Sequence, residues 1–329
     1  MNHEDKIVYN IAIIGAGQLG SRHLQGLKKA NIEMAIFVID TNTQSLEISK
    51  ARYEEIEPNP QVKSIDYLMN IDFLPSHLDL VIIATGSISR ASLTERLLNS
   101  IRVTNVIFEK FLFPSISDYS LIDKLLTDNN INAWVNCPRR YFSFYKELKN
   151  LLIESKTVEM NLSGQNWGLA CNSIHFIDIF AMLTNKQDFE LDVSLLEDII
   201  DSKRSGYIEL TGTIKGKSKS GDYHFSLTSK ENCNPFVFGI STEKYQITID
   251  ELQKKAYIET KDGNRIEKKV KVNYQSELTG VMTEQILLTG SSDLTPYSES
   301  ASLHVQFLEP VIKFYNQKTD KNKDFCPIT

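Results

Sequence analysis

The chain is poor in the residues that build disulfide-stapled or zinc-held folds. It has four cysteines in 329 residues, Cys137, Cys171, Cys233 and Cys326. They are scattered and lack the paired spacing of a metal site, so neither structural zinc nor a disulfide framework is expected. No metal is expected at the site. A reducing compartment fits such usage, and a cytoplasmic location is the expectation. Long apolar runs are also missing. None approaches the roughly 20 residues that span a bilayer, and Met1-Asn2-His3-Glu4-Asp5-Lys6 has no signal-peptide core. Excess positive charge is absent too. With 36 Lys and Arg against 42 Asp and Glu the net charge is −6, which argues against a broad basic surface for nucleic acid. There is no internal repeat and no low-complexity segment. What remains is a globular composition, 41% hydrophobic, long enough for two domains.

The most informative string is Ile11-Ala12-Ile13-Ile14-Gly15-Ala16-Gly17-Gln18-Leu19-Gly20. It reads as an apolar strand, a glycine turn and the start of a helix. Gly15 suits a tight turn, Gly17 lets backbone approach a pyrophosphate, and Gly20 lets the helix pack closely. The helix N-terminus, from Gln18 and Leu19 onward, offers unpaired N–H groups to phosphate. Residues 21–29 read as an amphipathic helix. A second strand, residues 34–39, ends at Asp40. An acidic residue there hydrogen-bonds the adenosine ribose hydroxyls and repels a 2′-phosphate, favouring NAD over NADP. The competing reading of Asp40 is a cap for the next helix, beside Thr41-Asn42-Thr43.

Strands and helices alternate through the first 135 residues or so. The apolar run 80–84 ends at Thr85-Gly86-Ser87, and the run 105–108 ends at Glu109-Lys110. Helices are expected near 90–98 and 117–127, with a strand at 132–136. This is the pattern of a doubly wound parallel sheet, in which ligands bind beyond the carboxyl ends of the strands. Gly15, Asp40, Thr85, Gly86, Glu109 and Lys110 all fall there. The second half alternates like an antiparallel sheet, at 157–163, 206–215, 221–228 and 244–249. Helices are expected at 142–154, 173–184, 274–289 and 299–316, the last returning to the first domain. The expected division is an α/β Rossmann domain over 1–136 and an α+β domain with an open sheet over 137–329.

Three clusters bear chemistry. Glu109-Lys110 puts two charges after four apolar residues, which suits a cleft or a surface ion pair. His175 and Asp178 lie three apart on one helix face, behind an N-cap at Asn172 or Ser173. The histidine suits general acid–base work or a structural role. Asn136-Cys137-Pro138-Arg139-Arg140-Tyr141 pairs arginines with an aromatic, which suits an anionic or sugar ligand or an interdomain salt bridge.

Taken together, Gly15–His23, Glu109-Lys110, Arg139-Arg140-Tyr141 and His175-Phe176-Ile177-Asp178 resemble the Gfo/Idh/MocA oxidoreductases in order and spacing. The resemblance covers nearly the whole chain. It implies oxidation of a ring hydroxyl of a sugar or cyclitol, or the reverse reduction, with a nicotinamide cofactor. It implies Lys110 at the reacting hydroxyl and the cofactor, and His175 as the group that takes or returns the proton. It also implies a homodimer or homotetramer formed through the C-terminal sheet. Arg139, Arg140, Tyr141, Trp167, Cys171 and Asn172 are the substrate-binding candidates, and they point to a charged sugar, nucleotide-linked sugars included. Two positions depart from the family pattern: Phe111 follows Lys110 in place of proline, and Cys171 stands four before His175 in place of an acid. The alternatives are a reductase of imines or conjugated double bonds and a non-catalytic NAD-binding regulatory protein.

Overall fold

Apolar runs buried on both faces become the inner strands of a parallel sheet. In the computed structural model, which describes residues 8–231, 233 and 236–329, these are β1 (Tyr9–Ile14), β4 (His77–Ile83) and β5 (Arg102–Phe108), flanked by β2 (Met34–Ile39), β3 (Val62–Leu68) and β6 (Asn132–Val135). Between them run α1 (Gln18–Leu27), α2 (Thr43–Glu54), α3 (Ser87–Ser100) and α4 (Ile116–Asp128). The strand order is 3-2-1-4-5-6, all parallel. This is the Rossmann order, whose crevice lies beyond the carboxyl ends of β1 and β4, where the strand order reverses.

The chain leaves this unit at Pro138 and returns to it over Asn273–Tyr297. The returning segment holds α7 (Gln275–Thr289) and β15 (Thr295–Pro296), the latter pairing antiparallel with β6. The helix that joins the first unit is therefore the penultimate one, not the last. Two glycines explain it. A Cβ on Gly26 would lie 2.7 Å from Thr279 Cβ, and one on Gly280 would lie 2.8 Å from the Gly26 carbonyl oxygen. Without side chains there, α1 and α7 meet backbone to backbone.

The second unit comprises Pro114–Tyr119, Arg139–Val272 and Ser298–Thr329. It contains α5 (Ser143–Leu152), β7 (Val158–Gly164), α6 (Leu169–Thr184), β8 (Phe189–Asp201), β9 (Ile208–Ser218), β10 (Tyr223–Ser229), β11 (Val237–Thr242), β12 (Tyr245–Asp250), β13 (Lys255–Thr260), β14 (Arg265–Lys269) and nearly all of α8 (Tyr297–Thr319). The eight strands form one sheet in the order 14-13-12-11-7-10-9-8, antiparallel except for β7 beside β10. Val158, Met160 and Leu162 of β7 are buried while Glu159 and Asn161 are exposed. That alternation is what a sheet with one covered face requires, and α6 packs against β9 and β10. Among the described residues no helix is long and apolar enough to cross a membrane.

Candidate active site

The glycine turn is closed by sterics at two positions and open at the third. Gly15 has φ +99°, and a Cβ on it would sit 2.9 Å from backbone atoms of Ala84 and Thr85. A Cβ on Gly20 would lie 1.7 Å from the Gly15 carbonyl oxygen, so Gly20 packs on the turn itself. A Cβ on Gly17 would meet nothing within 4 Å. Gly17 is the N-cap of α1, and the first turn of that helix holds no acidic residue. The opening N–H groups of a helix lack intrahelical acceptors and carry partial positive charge. Open space beside those of Gln18, Leu19 and Gly20 fits the pyrophosphate of a dinucleotide.

Asp40 follows β2 and is held against this turn. Its Oδ2 accepts from the Ala16 N–H at 2.8 Å and its Oδ1 from the Asn42 N–H at 2.9 Å. The N-cap of α2 is Asn42, which accepts from the Ser45 N–H. The capping role weighed for Asp40 thus belongs to its neighbour. A carboxylate has lone pairs to spare beyond two such bonds, and ribose hydroxyls can use them.

Glu109 is buried at the carboxyl end of β5. Its Oε1 lies 2.7 Å from His23 Nε2 of α1 and accepts from Asn136 Nδ2. Asn136 also donates to Gln275 Oε1 at 2.8 Å, Gln275 Nε2 donates to Thr279 Oγ1 at 2.9 Å, and Thr279 Oγ1 lies 3.0 Å from His23 Nδ1. The five residues close a ring of polar groups that ties α1, β5, β6 and α7 together. Glu109 is therefore an anchor for the next residue, Lys110, rather than half of a surface ion pair. The Lys110–Phe111 peptide is cis. Thr85 and Gly86 stand at the end of β4, where Gly86 is the N-cap of α3. From α3 the buried Arg90 reaches the carbonyl oxygens of Thr85, Glu109, Phe111 and Leu112.

In the second unit the two arginines are already paired. Arg139 forks onto Glu251, Nε to Oε1 at 2.9 Å and Nη2 to Oε2 at 2.7 Å. Arg140 forks onto both oxygens of the buried Asp178 at 2.9 Å and also reaches Glu299. Burial by itself would lower the Arg140 pKa, but the carboxylates of Asp178 and Glu299 more than reverse this and raise it. These pairs lie inside the unit and account for both arginines. They also hold Asp178 in a buried ion pair.

Helix α6 begins at Leu169, not at Asn172 or Ser173. Its N-cap is Gly168, left-handed at φ +83°. Glu209 of β9 supplies the acceptor, Oε2 taking the Ala170 N–H at 2.8 Å and Oε1 the Cys171 N–H at 3.4 Å. A cap donated from a distant strand leaves no local signature. His175 consequently lies two turns into the helix, half-buried. Trp167 spends its N–H on the Thr228 carbonyl, and Asn172 donates to the Trp167 carbonyl, each at 2.7 Å. Tyr141 lies half-buried, with Lys146 Nζ 5.5 Å from its ring centre.

The Arg139–Glu251 pair makes stability pH-dependent. Burial alone would raise the Glu251 pKa, but Arg139 and a hydrogen bond from the Tyr145 hydroxyl outweigh it, so the folded value is lowered. A depressed carboxylate contributes stability that is present above its unfolded pKa and lost as pH falls through the folded value. Urea midpoints should therefore drop below about pH 5, and Glu251→Gln should flatten that part of the profile. Equal slopes in wild type and variant would refute the linkage.

Residues 9–137 match the family model described as "Oxidoreductase family, NAD-binding Rossmann fold" (GFO_IDH_MocA). No curated protein matches the chain significantly. Among solved structures, an oxidoreductase from Agrobacterium radiobacter in complex with NAD+, L-tartaric acid and magnesium aligns with TM-score 0.68 and 14% identity, over 91% of this chain and 94% of that one. The UDP-N-acetylglucosamine 3-dehydrogenase GnnA from Acidithiobacillus ferrooxidans aligns with TM-score 0.67 and 12% identity, over 92% and 96%. A super-repressor mutant of Gal80p from Saccharomyces cerevisiae aligns with TM-score 0.66 and 14% identity, over 93% and 95%. At such identities these likenesses concern the fold alone.

Proposed function

Residues 9–137 match the Gfo/Idh/MocA oxidoreductase family model, and from that premise we propose that the chain belongs to this family and moves a hydride between NAD and a ring hydroxyl or ketone of a sugar derivative. The observation that carries the reading is the anchoring of Glu109 by His23. The helix that fits the pyrophosphate and the turn that bears Lys110 are joined by one 2.7 Å contact. The cofactor supplies the hydride acceptor or donor at its nicotinamide. Lys110 donates a hydrogen bond to the reacting oxygen and stabilises developing negative charge there. His175 accepts the hydroxyl proton on its imidazole, or returns it in reduction. Asp178 stays with Arg140. Tyr141, Trp167, Cys171 and Asn172 face the substrate, and its charge is not read by Arg139 or Arg140, which Glu251, Asp178 and Glu299 satisfy. The similarity in fold to a UDP-sugar dehydrogenase makes nucleotide-linked sugars the first class to assay.

The test follows the reduced-nicotinamide absorbance over a panel of free and nucleotide-linked sugars. Tight NADH binding without turnover of any panel member would overturn the catalytic reading. Cys171 favours a second reading, reduction of an imine or conjugated double bond, because a thiol stands where the family pattern has an acid. Turnover of such a compound but of no sugar would select it.

Asp40 supports NAD over NADP as the cofactor. Removing a charged acceptor of ribose hydroxyls costs roughly 1.5–3 kcal/mol. Asp40→Ala should therefore weaken NADH binding about 10- to 100-fold and shift preference toward NADPH. Fluorescence titration with both cofactors checks this, and an unchanged preference would remove the assignment. The same reading includes a homodimer or homotetramer built on the outer face of the second-unit sheet. Sedimentation as a monomer at micromolar concentration would refute it.

A further inference from the structure

We propose that Arg90 is the positioning residue for Lys110. The proposal rests on the reading that Lys110 meets the reacting oxygen. Arg90 is 1% exposed and belongs to α3, one turn beyond its N-cap Gly86. Its Nη1 donates to the carbonyls of Glu109 at 2.6 Å and Leu112 at 3.0 Å, and to that of Phe111 between them. Its Nη2 donates to the carbonyl of Thr85. Three of the four acceptors bracket Lys110 in sequence, and the fourth lies just beyond β4. One planar group thus fastens the turn carrying Lys110 to the turn beside it.

The choice of arginine follows from this geometry. An apolar side chain could fill the same volume but would leave buried carbonyl oxygens without donors. A lysine has three donors on a single nitrogen and cannot reproduce a rigid fork. Charge-assisted bonds in a buried setting are also stronger than neutral ones. Arg90 touches neither substrate nor cofactor. It acts by holding the backbone from which the Lys110 side chain departs, while Glu109 holds the same turn from the other side through His23.

The test compares wild type with Arg90→Lys, Arg90→Gln, Lys110→Ala and the double variant Arg90→Lys/Lys110→Ala, each checked for native circular dichroism. With a sugar that turns over, Arg90→Lys should lower kcat about 10- to 100-fold, as a misplacement near 1 Å does. NADH affinity and substrate KM should move less than about threefold. The double variant should be no slower than Lys110→Ala, because both changes act on one group. A folded Arg90→Lys or Arg90→Gln with unchanged kcat overturns the proposal, as do losses that multiply in the double variant. Lys110→Ala turning over like wild type overturns the reading of Lys110 instead. A substrate-free readout separates the two. The carbon-13 resonance of dimethylated Lys110, assigned by its loss in Lys110→Ala, should shift in Arg90→Gln. An unchanged resonance in that variant overturns the role of Arg90 whatever the substrate.

Discussion

Replacing Lys110 by alanine should lower kcat by about 10²- to 10⁴-fold, the range that a positioned proton-handling or charge-stabilising group contributes. The NADH dissociation constant should change far less. The reason is local. The glycine turn, Asp40 and the N-terminus of α1 are untouched, and Glu109 keeps its contacts to His23 and Asn136. What is lost is one ammonium at the end of β5. The measurements are kcat and KM on a panel substrate, with NADH fluorescence alongside. Turnover within about tenfold of wild type would show that Lys110 does not face the reacting oxygen.

Arg140→Met should be the most destabilising single change considered. Arg140 is the common partner of Asp178, which is 1% exposed, and of Glu299. Methionine keeps most of the volume, so the cost is electrostatic rather than a cavity. Removing one partner of a buried pair leaves a carboxylate in a medium that solvates it poorly, and costs about 3–5 kcal/mol. For a chain of this size that corresponds to a drop in Tm of roughly 10 °C. Adding Asp178→Asn to Arg140→Met removes the orphaned charge and should recover part of the loss. A decrease below about 1 kcal/mol in the single variant, or no recovery in the double, would count against a stabilising ion pair.

The two expected effects sit on features that differ in how visible they are from residues alone. Glu109-Lys110 is a local string at the end of an apolar strand, as are Gly15–Gly20 and Asp40, and each lands where periodicity placed it. The partners of Arg140 are not local. Asp178 lies 38 residues on and Glu299 159 residues on, so the paired arginines look as ready for a substrate as for each of those carboxylates. The start of α6 was hidden for the same reason, since Glu209 caps it from another strand. Gln275 and Thr279 complete the ring around Glu109 from 139 residues beyond Asn136. Other elements leave little pattern at all. In α2 only Leu46 and Ser49 are buried, and no residue of the edge strand β3 is fully buried. Neither shows the apolar periodicity by which helices and strands are recognised.

The return of residues 273–297 to the first unit has a consequence for synthesis. Ribosomes add roughly 5–20 residues per second, and amino-terminal units ordinarily fold as they emerge. Here the first unit must wait for the chain to reach residue 297 before α7 can cover Gly26 and His23 and β15 can pair with β6. At those rates the delay is on the order of 10–30 seconds. During it the nascent Rossmann sheet has a bare helix face and an unpaired β6 edge. A ribosome-bound fragment ending before Gln275 should therefore engage chaperones more than the finished chain does.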